Sequence, residues 1–172
     1  MDKEFVVLVD EKDNDVGVME KMEAHRKGVL HRAFSIFIFD DNHQMMIHKR
    51  ALSKYHSPGL WTNACCSHPR KGESLAQATH RRLGEEMGFD CVLKEDFAFK
   101  YKADVGQGLI EHEYDHVFIG YFDGKPNINP DEVDSYAWVK IPELIKDIHD
   151  FPKKYTPWFK IAFAELVKRM KV

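Results

Sequence analysis

The sequence predicts an α+β domain, with a mostly antiparallel or mixed sheet flanked by helices. Short runs of strong β-propensity, such as Phe5 to Val9 and AFSIFIF at Ala33 to Phe39, recur along the chain between turn residues. Two longer stretches, Leu75 to Met87 and Tyr155 to Met170, carry apolar residues at helical spacing. No internal repeat, low-complexity segment or domain linker interrupts them. A chain of 172 residues with 44% apolar content suits one domain, residues 1–172, with a sizeable core.

Taken in order, Phe5 to Val9 is a first strand and Asn14 to Gly17 a turn. Lys21 to Val29 is a short helix or an ordered loop carrying Lys21, His25 and Lys27. After Ala33 to Phe39, Asp40 to His43 turns the chain and Gln44 to His48 returns as its hairpin partner. A basic loop with Lys49, Arg50 and Lys54 runs to the turn signal Pro58-Gly59. Pro69 and Gly72 keep His68 to Gly72 out of a helix. Ser74 is an N-cap, and Leu75, Ala78, Thr79, Leu83 and Met87 form a core face closed by the stop residue Gly88. Arg81 and Glu85, like Arg82 and Glu86, are four apart and can meet on the helix surface. Phe97, Phe99 and Tyr101 alternate, which marks Cys91 to Lys102 as a strand. Asp104 to Gly108 is a turn, Glu111 to Phe122 a strand, Lys125 to Pro130 a loop and Ser135 to Val139 a short strand. Ile141-Pro142 opens a helix to about His149. The last helix presents Trp158, Ile161, Ala162, Leu166 and Met170 on one face.

Composition bounds the partners. A net charge of −3 gives no bulk attraction to nucleic acid or an anionic membrane. The apolar runs are too short to span a bilayer, and MDKEFVVLVD is acidic rather than signal-like. The expectation is a cytoplasmic enzyme with neither nucleic acid nor membrane as partner. Three cysteines cannot all pair within the chain, which favours a reduced compartment.

Trp61 to Phe89 packs the most reactive groups into the fewest residues. Its helix ends in Glu85-Glu86, where the macrodipole disfavours anions. An ordinary surface tolerates that cost, and a divalent cation would relieve it. Glu111 and Glu113 leave one face of a strand and repel unless a cation lies between them. The alternative is a solvated face opposite Lys or Arg. His25, His31 and His68 can join them around Mn2+, Mg2+ or Zn2+, although lone histidines are more often structural. Cys66 lies two residues before His68. A thiol near a metal and cationic groups has a lowered pKa and exchanges protons at neutral pH. The alternative is a buried, inert thiol, the reading adopted for Cys91 and Cys65. Lys21, Arg50, Lys54 and Arg82 can converge on a diphosphate or stand as solvated surface charges. By periodicity alone Tyr101 and Trp158 are core aromatics.

Ser67, Glu73, Arg81, Arg82, Leu83, Glu85, Glu86, Gly88 and Phe89 together resemble the Nudix box, a loop-helix that binds Mg2+ and a diphosphate. Two positions depart from it. Ser67 stands at the opening Gly, and Arg82 stands where hydrolysing members carry a metal-binding Glu, which argues against pyrophosphohydrolysis. The wider pattern resembles the type I isopentenyl-diphosphate delta-isomerases, Nudix-fold enzymes that do not hydrolyse. KRALSKYHSPGLWTNACCSHP at 49–69, RRLGEEMG, IEHE at 110–113, DEVDSYAWV and TPW at 156–158 carry that resemblance.

The resemblance implies a Nudix-like mixed β-sheet sandwiched by helices, and interconversion of isopentenyl and dimethylallyl diphosphate. It implies Cys66 and Glu113 as a catalytic pair on opposite faces of the alkene, with Tyr101 hydrogen-bonding the carboxyl. His25, His31, His68, Glu111 and Glu113 would hold one divalent ion. Glu86, with the Cys66 backbone, would hold a Mg2+ that also touches the diphosphate. Lys21, Arg50, Lys54, Ser67 and Arg82 would face the phosphates, and Trp158 the isoprenoid. Two other readings compete: a Nudix pyrophosphohydrolase acting on a nucleoside or other diphosphate, and a non-catalytic metal- or thiol-binding module.

Overall fold

The computed structural model describes residues 3–170. In chain order the elements are β1 (Phe5–Val9), β2 (Asp15–Glu20), α1 (Lys21–Lys27), β3 (His31–Phe39), β4 (Gln44–Arg50), β5 (Trp61–Thr62), β6 (Cys65–Ser67), α2 (Leu75–Met87), β7 (Leu93–Gly106), β8 (Leu109–Tyr121), β9 (Val133–Lys140), α3 (Ile141–Asp150) and α4 (Pro157–Met170). A single 3-10 turn, Pro152–Lys154, separates the last two helices.

Strand β3 is the centre of the sheet. One edge pairs in parallel with β8, from His31 opposite Glu113 to Phe39 opposite Tyr121. The other edge is shared by β1 at Leu8, by β6 through Cys65 to Ser67, and by β4 at Met45. Strand β7 extends the sheet antiparallel to β8, and β4 carries β9 and β5. Alternation along β3 sends Phe34, Ile36 and Ile38 to one face, where Ala78, Leu83 and Met87 of α2 cover them. Phe37 and Phe39 go to the other face, under Trp158, Phe159, Ala162, Phe163 and Leu166 of α4. The mixed sheet between helices is the expected architecture.

Some expected boundaries move. The first turn falls at Asp10 to Asn14, not Asn14 to Gly17. The Asp10 carboxylate accepts from the Lys12 and Asn14 N–H at 2.8 and 3.0 Å, and Asp13 takes φ 64°. The chain is therefore already extended as β2 from Asp15. β3 and β4 share only the pair beside their turn, then part because each finds a longer partner elsewhere. Two short strands, β5 and β6, lie in what reads as a loop. β7 runs on through Asp104 to Gly106. The last helix begins at Pro157, and its buried face includes Phe159 and Phe163, whereas Met170 is exposed and Ile161 half-buried.

Helix α2 forms as its sequence demands. The Ser74 hydroxyl accepts from the Gln77 N–H at 3.1 Å, and the Gln77 side chain accepts from the Ser74 N–H at 2.9 Å. Gly88 ends the helix at φ 69°, where a Cβ would lie 2.1 Å from the Asn127 carbonyl oxygen. Left-handed backbone alone costs a non-glycine residue about 1–2 kcal/mol. Gly88→Ala is therefore expected to destabilise the protein by at least about 2 kcal/mol in urea unfolding. Stability matching the parent protein would contradict this packing.

His48, on β4, is buried, and its Nδ1–H donates to the Ala64 carbonyl at 3.0 Å. Burial, assisted by the Arg50 charge, lowers its pKa from 6.5 to about 3. The folded value lies below the unfolded one, so this contribution to stability is complete above pH 6.5 and fades as pH falls toward 3. The slope from this one group reaches about 1.4 kcal/mol per pH unit. Denaturation followed across that window is expected to show stability falling with acidification, and less steeply in His48→Gln. Equal slopes would contradict the assignment.

Candidate active site

Four neighbouring strands, β6, β3, β8 and β7, build one wall. On β8, Glu111, Glu113 and Asp115 share the face that Val117 presents to α4. His31 lies opposite Glu113 on β3, Tyr101 lies opposite it on β7, and Cys66 lies opposite Ser35. Helix α1 brings His25 from its last turn, where Gly28 at φ 66° ends it. His68 follows directly after β6.

Ligand atoms of His25, His31, His68 and Glu111 all lie within 4.8 Å of one another. Glu113 borders this set, its Oε2 2.8 Å from His68 Nε2 and 3.3 Å from His31 Nε2. The Nδ1–H of His25 donates to the Lys21 carbonyl at 2.6 Å, and that of His31 to the Val29 carbonyl at 2.9 Å. These bonds orient both rings and leave Nε2 for the interior. His31 Nε2 and Glu111 Oε2 are buried without a hydrogen-bond partner. Unpartnered buried atoms within a nitrogen and oxygen donor set fit a divalent cation. Glu111 and Glu113 are buried, and among the described residues their ion-pair partners are histidines and neither Lys nor Arg, so the solvated-face alternative does not hold.

The charges follow the geometry. Burial opposes ionisation of Glu111, yet the hydrogen bond with His25 and the His56 ring beside it hold its carboxyl well below the ordinary range. Burial also works against charging His25 and His31, but Glu111 and Glu113 outweigh it and raise both. For His68 burial wins over Glu113, and its pKa falls.

Cys66 and Glu113 line one small cavity of about 40 Å³, with Arg50, Tyr55, His56 and Trp158 among its walls. The Cys66 thiol donates to Asn63 Oδ1 at 2.9 Å and lies 3.5 Å from Ser35 Oγ. The Ser35 hydroxyl donates to Asp115 Oδ2 at 2.8 Å. The protein's own groups do not lower the thiol pKa as expected. Burial, reinforced by the Asp115 charge, pushes the thiol up, and the hydrogen bonds with Ser35 and Asn63 do not offset it. Tyr101 Oη donates to Glu113 Oε1. Burial raises the Tyr101 phenol far above its ordinary value, with Glu113 adding to it.

Strand alternation also separates the adjacent cysteines. Cys65, opposite Ile36, packs with Met87 and Leu83 under α2, while Cys66 faces the cavity. All three cysteines are free thiols. Cys65→Ala is expected to cost roughly 1 kcal/mol of stability while leaving turnover near normal. A fully inactive Cys65→Ala that still folds would reverse the choice between the two.

A second cavity, a cleft of about 570 Å³, is lined by Lys21, Ser67, His68 and Arg82 together with Arg70 and Lys71. It shares Ser67 and His68 with the small cavity, so the two adjoin. Arg82 Nε donates to Ser67 Oγ at 3.1 Å, and its other nitrogens bond Glu85 and Glu86 at 2.9 and 2.8 Å. Lys21 Nζ lies 2.7 Å from Glu4 Oε2. Arg50 and Lys54 are held elsewhere. Arg50 is buried, donates to the His56 carbonyl at 3.1 Å, and lies 5.0 Å over the Trp158 ring. Lys54 bonds Glu132 at 2.6 Å. Glu86 is buried beside Arg82, apart from the His/Glu cluster, and burial raises its carboxyl.

Sequence reasoning missed several groups that the fold delivers. His56 and Glu132 come from loops without periodicity, and Asn63 and Ser35 reach Cys66 only through strand pairing. Asp115 had a signal, because it continues the two-residue alternation of Glu111 and Glu113.

A mixed sheet between helices, with a box-like α2 beside a basic cleft and a buried His/Glu cluster, defines the class: a Nudix-fold enzyme. A solved Deinococcus radiodurans protein, DR0079, superposes with TM-score 0.78 over 96% of this chain and 98% of its own, at 21% identity. A MutT protein from Methanosarcina mazei gives 0.66 over 83% of this chain and 95% of its own, at 17% identity. Both likenesses concern the fold. The NUDIX domain family model matches residues 29–159. Isopentenyl-diphosphate Delta-isomerase 2 of Photorhabdus laumondii is 57% identical over 91% of this chain and 89% of its own. The Aromatoleum aromaticum protein of the same name is 56% identical over 94% and 86%. The chain belongs to the NUDIX family and, within it, to the isopentenyl-diphosphate Delta-isomerases.

Proposed function

We propose that this protein, as one domain over residues 1–172, interconverts isopentenyl diphosphate and dimethylallyl diphosphate. It does so by adding a proton on one face of the alkene and removing one from the other. The observation that carries this reading is Cys66 and Glu113 lining one small cavity beside a basic cleft.

In the forward direction the Glu113 carboxyl gives its proton to the terminal alkene carbon. The product is a tertiary carbocation. The Cys66 sulfur, as thiolate, then takes a proton from the carbon next to it, which restores a double bond one position along. In reverse the roles exchange. A neutral Cys66 is the acid of that reverse reaction, so its raised pKa suits the direction that begins with dimethylallyl diphosphate. Tyr101 orients the Glu113 carboxyl by its hydrogen bond. The cation must not meet water, and the buried Trp158 offers it an indole face, worth roughly 1–2 kcal/mol when desolvated.

His25, His31, His68, Glu111 and Glu113 are the groups that would hold a divalent ion, with Mn2+, Mg2+ and Zn2+ all suited to them. Such an ion would supply positive charge beside the Glu113 carboxyl. Glu86, with the Cys66 backbone, is proposed to hold a Mg2+ shared with the diphosphate. Lys21, Ser67 and Arg82 line the cleft and would bind the phosphates. Arg50 and Lys54 would join them by exchanging His56 and Glu132 for phosphate oxygens. The diphosphate does no chemistry; its binding positions the double bond.

Pyrophosphohydrolysis is disfavoured by Arg82, whose guanidinium occupies the box position of a metal-binding carboxylate, and by the isomerase relatives. Among the described residues no helix is long and apolar enough to cross a membrane. A cytoplasmic location, and a small diphosphate rather than nucleic acid or membrane as partner, belong to this proposal. Purified protein with Mg2+ and isopentenyl diphosphate is expected to yield dimethylallyl diphosphate without orthophosphate. Release of orthophosphate, or of nucleoside monophosphates from a panel of diphosphates, would contradict it.

A further inference from the structure

We infer that His56 is a positioning residue of the cation site, acting on Glu111; the inference rests on the cation-binding reading above. His56 is 2% exposed, and neither of its ring nitrogens makes a hydrogen bond. Its Nε2 nevertheless stands 3.0 Å from Glu111 Oε1. The distance fits a hydrogen bond, and only the tilt of the ring leaves it open. The ring sits edge-on to Tyr55 at 4.3 Å and to Trp158 at 5.3 Å, and stacks on His25 at 5.9 Å.

A phenyl ring would fill such an aromatic cage. Burying an imidazole with two unpartnered nitrogens costs stability, so packing does not account for the choice. The imidazole does have a use at Glu111. Oε1 already lies 2.9 Å from His25 Nε2, and a second imidazole at the same oxygen fixes how the carboxylate is turned. Oε2 is left without a partner. His56 lies outside the set of mutually close ligand atoms, so it acts through Glu111 and not as a ligand. Groups that orient a metal ligand in this way typically change metal affinity by about 10–100-fold when removed.

The test is Mn2+ titration of chelator-stripped full-length protein without substrate, reading free Mn2+ by electron paramagnetic resonance. His56→Phe is expected to raise the dissociation constant about 10-fold or more. His56→Gln, which keeps a donor near the Nε2 position, is expected to recover most of that loss. The melting temperature of stripped His56→Phe is expected to equal or exceed that of the parent. Parent-like Mn2+ affinity in His56→Phe would overturn the inference, as would equal weakening in the Phe and Gln variants. Should His56→Phe fail to fold, His56→Leu removes the same nitrogens and is read in the same way. A parent protein that binds no Mn2+ would instead refute the cation site itself, and this inference with it.

Discussion

Cys66→Ala is expected to lower isomerase turnover by at least about 10³-fold while the fold persists. The side chain is half-buried and belongs to the cavity wall, so its loss removes little from the core. Cys66→Ser sharpens the test. A serine hydroxyl can keep the hydrogen bond to Asn63 Oδ1 that the thiol now makes at 2.9 Å, but it ionises far less readily than a thiol. Both variants are expected to be inactive with melting temperatures close to the parent. Turnover near the parent rate in either would remove Cys66 from the chemistry. An active Ser variant beside an inactive Ala variant would mean that Cys66 serves only as a hydrogen-bond donor.

Glu113→Gln is the second large effect, with an expected loss of about 10³–10⁴-fold in kcat. The substitution is nearly isosteric and keeps an acceptor for the Tyr101 hydroxyl. It loses the ionisable proton. It also places a neutral amide where Oε2 now lies 2.8 Å from His68 and 3.3 Å from His31, so divalent-ion binding should weaken too. Measuring kcat at saturating Mn2+ separates the two effects. A kcat within about 10-fold of the parent under saturation would show that Glu113 holds the ion and does not move the proton.

What the sequence revealed divides along physical lines. Helix α2 was legible because its signals are local: Ser74 caps its start, Leu83 and Met87 keep the period, and Gly88 ends it. Glu111 and Glu113 were legible as a pair because alternation in a strand is local too. Strand β6 was not legible. It has three residues, and its partner β3 lies about thirty residues away in sequence, so nothing near Cys65 announces the pairing. The choice of Cys66 over Cys65 therefore rested on its spacing to His68, whereas the structure supplies a stronger reason, the opposite faces of β6. The raised thiol pKa was hidden for the same cause, because the pairing of β6 with β3 is what buries Cys66. Sequence shows the neighbouring His68 but not Asp115, which reaches Cys66 through Ser35 from a distant strand. The buried face of α4 was legible in part: Trp158, Ala162 and Leu166 lie on it as expected, and Phe159 and Phe163 complete it in place of Ile161 and Met170. His56 belongs to a loop, where no period fixes the direction of a side chain.

Proton addition and removal across one alkene is tested most directly by running the reaction in deuterated water. Purified protein, Mg2+ and isopentenyl diphosphate should give dimethylallyl diphosphate carrying deuterium in its newly formed methyl group. That product should be absent with Cys66→Ala and with Glu113→Gln. Dimethylallyl diphosphate formed without any solvent deuterium over many turnovers would contradict a proton delivered by Glu113 and withdrawn by Cys66.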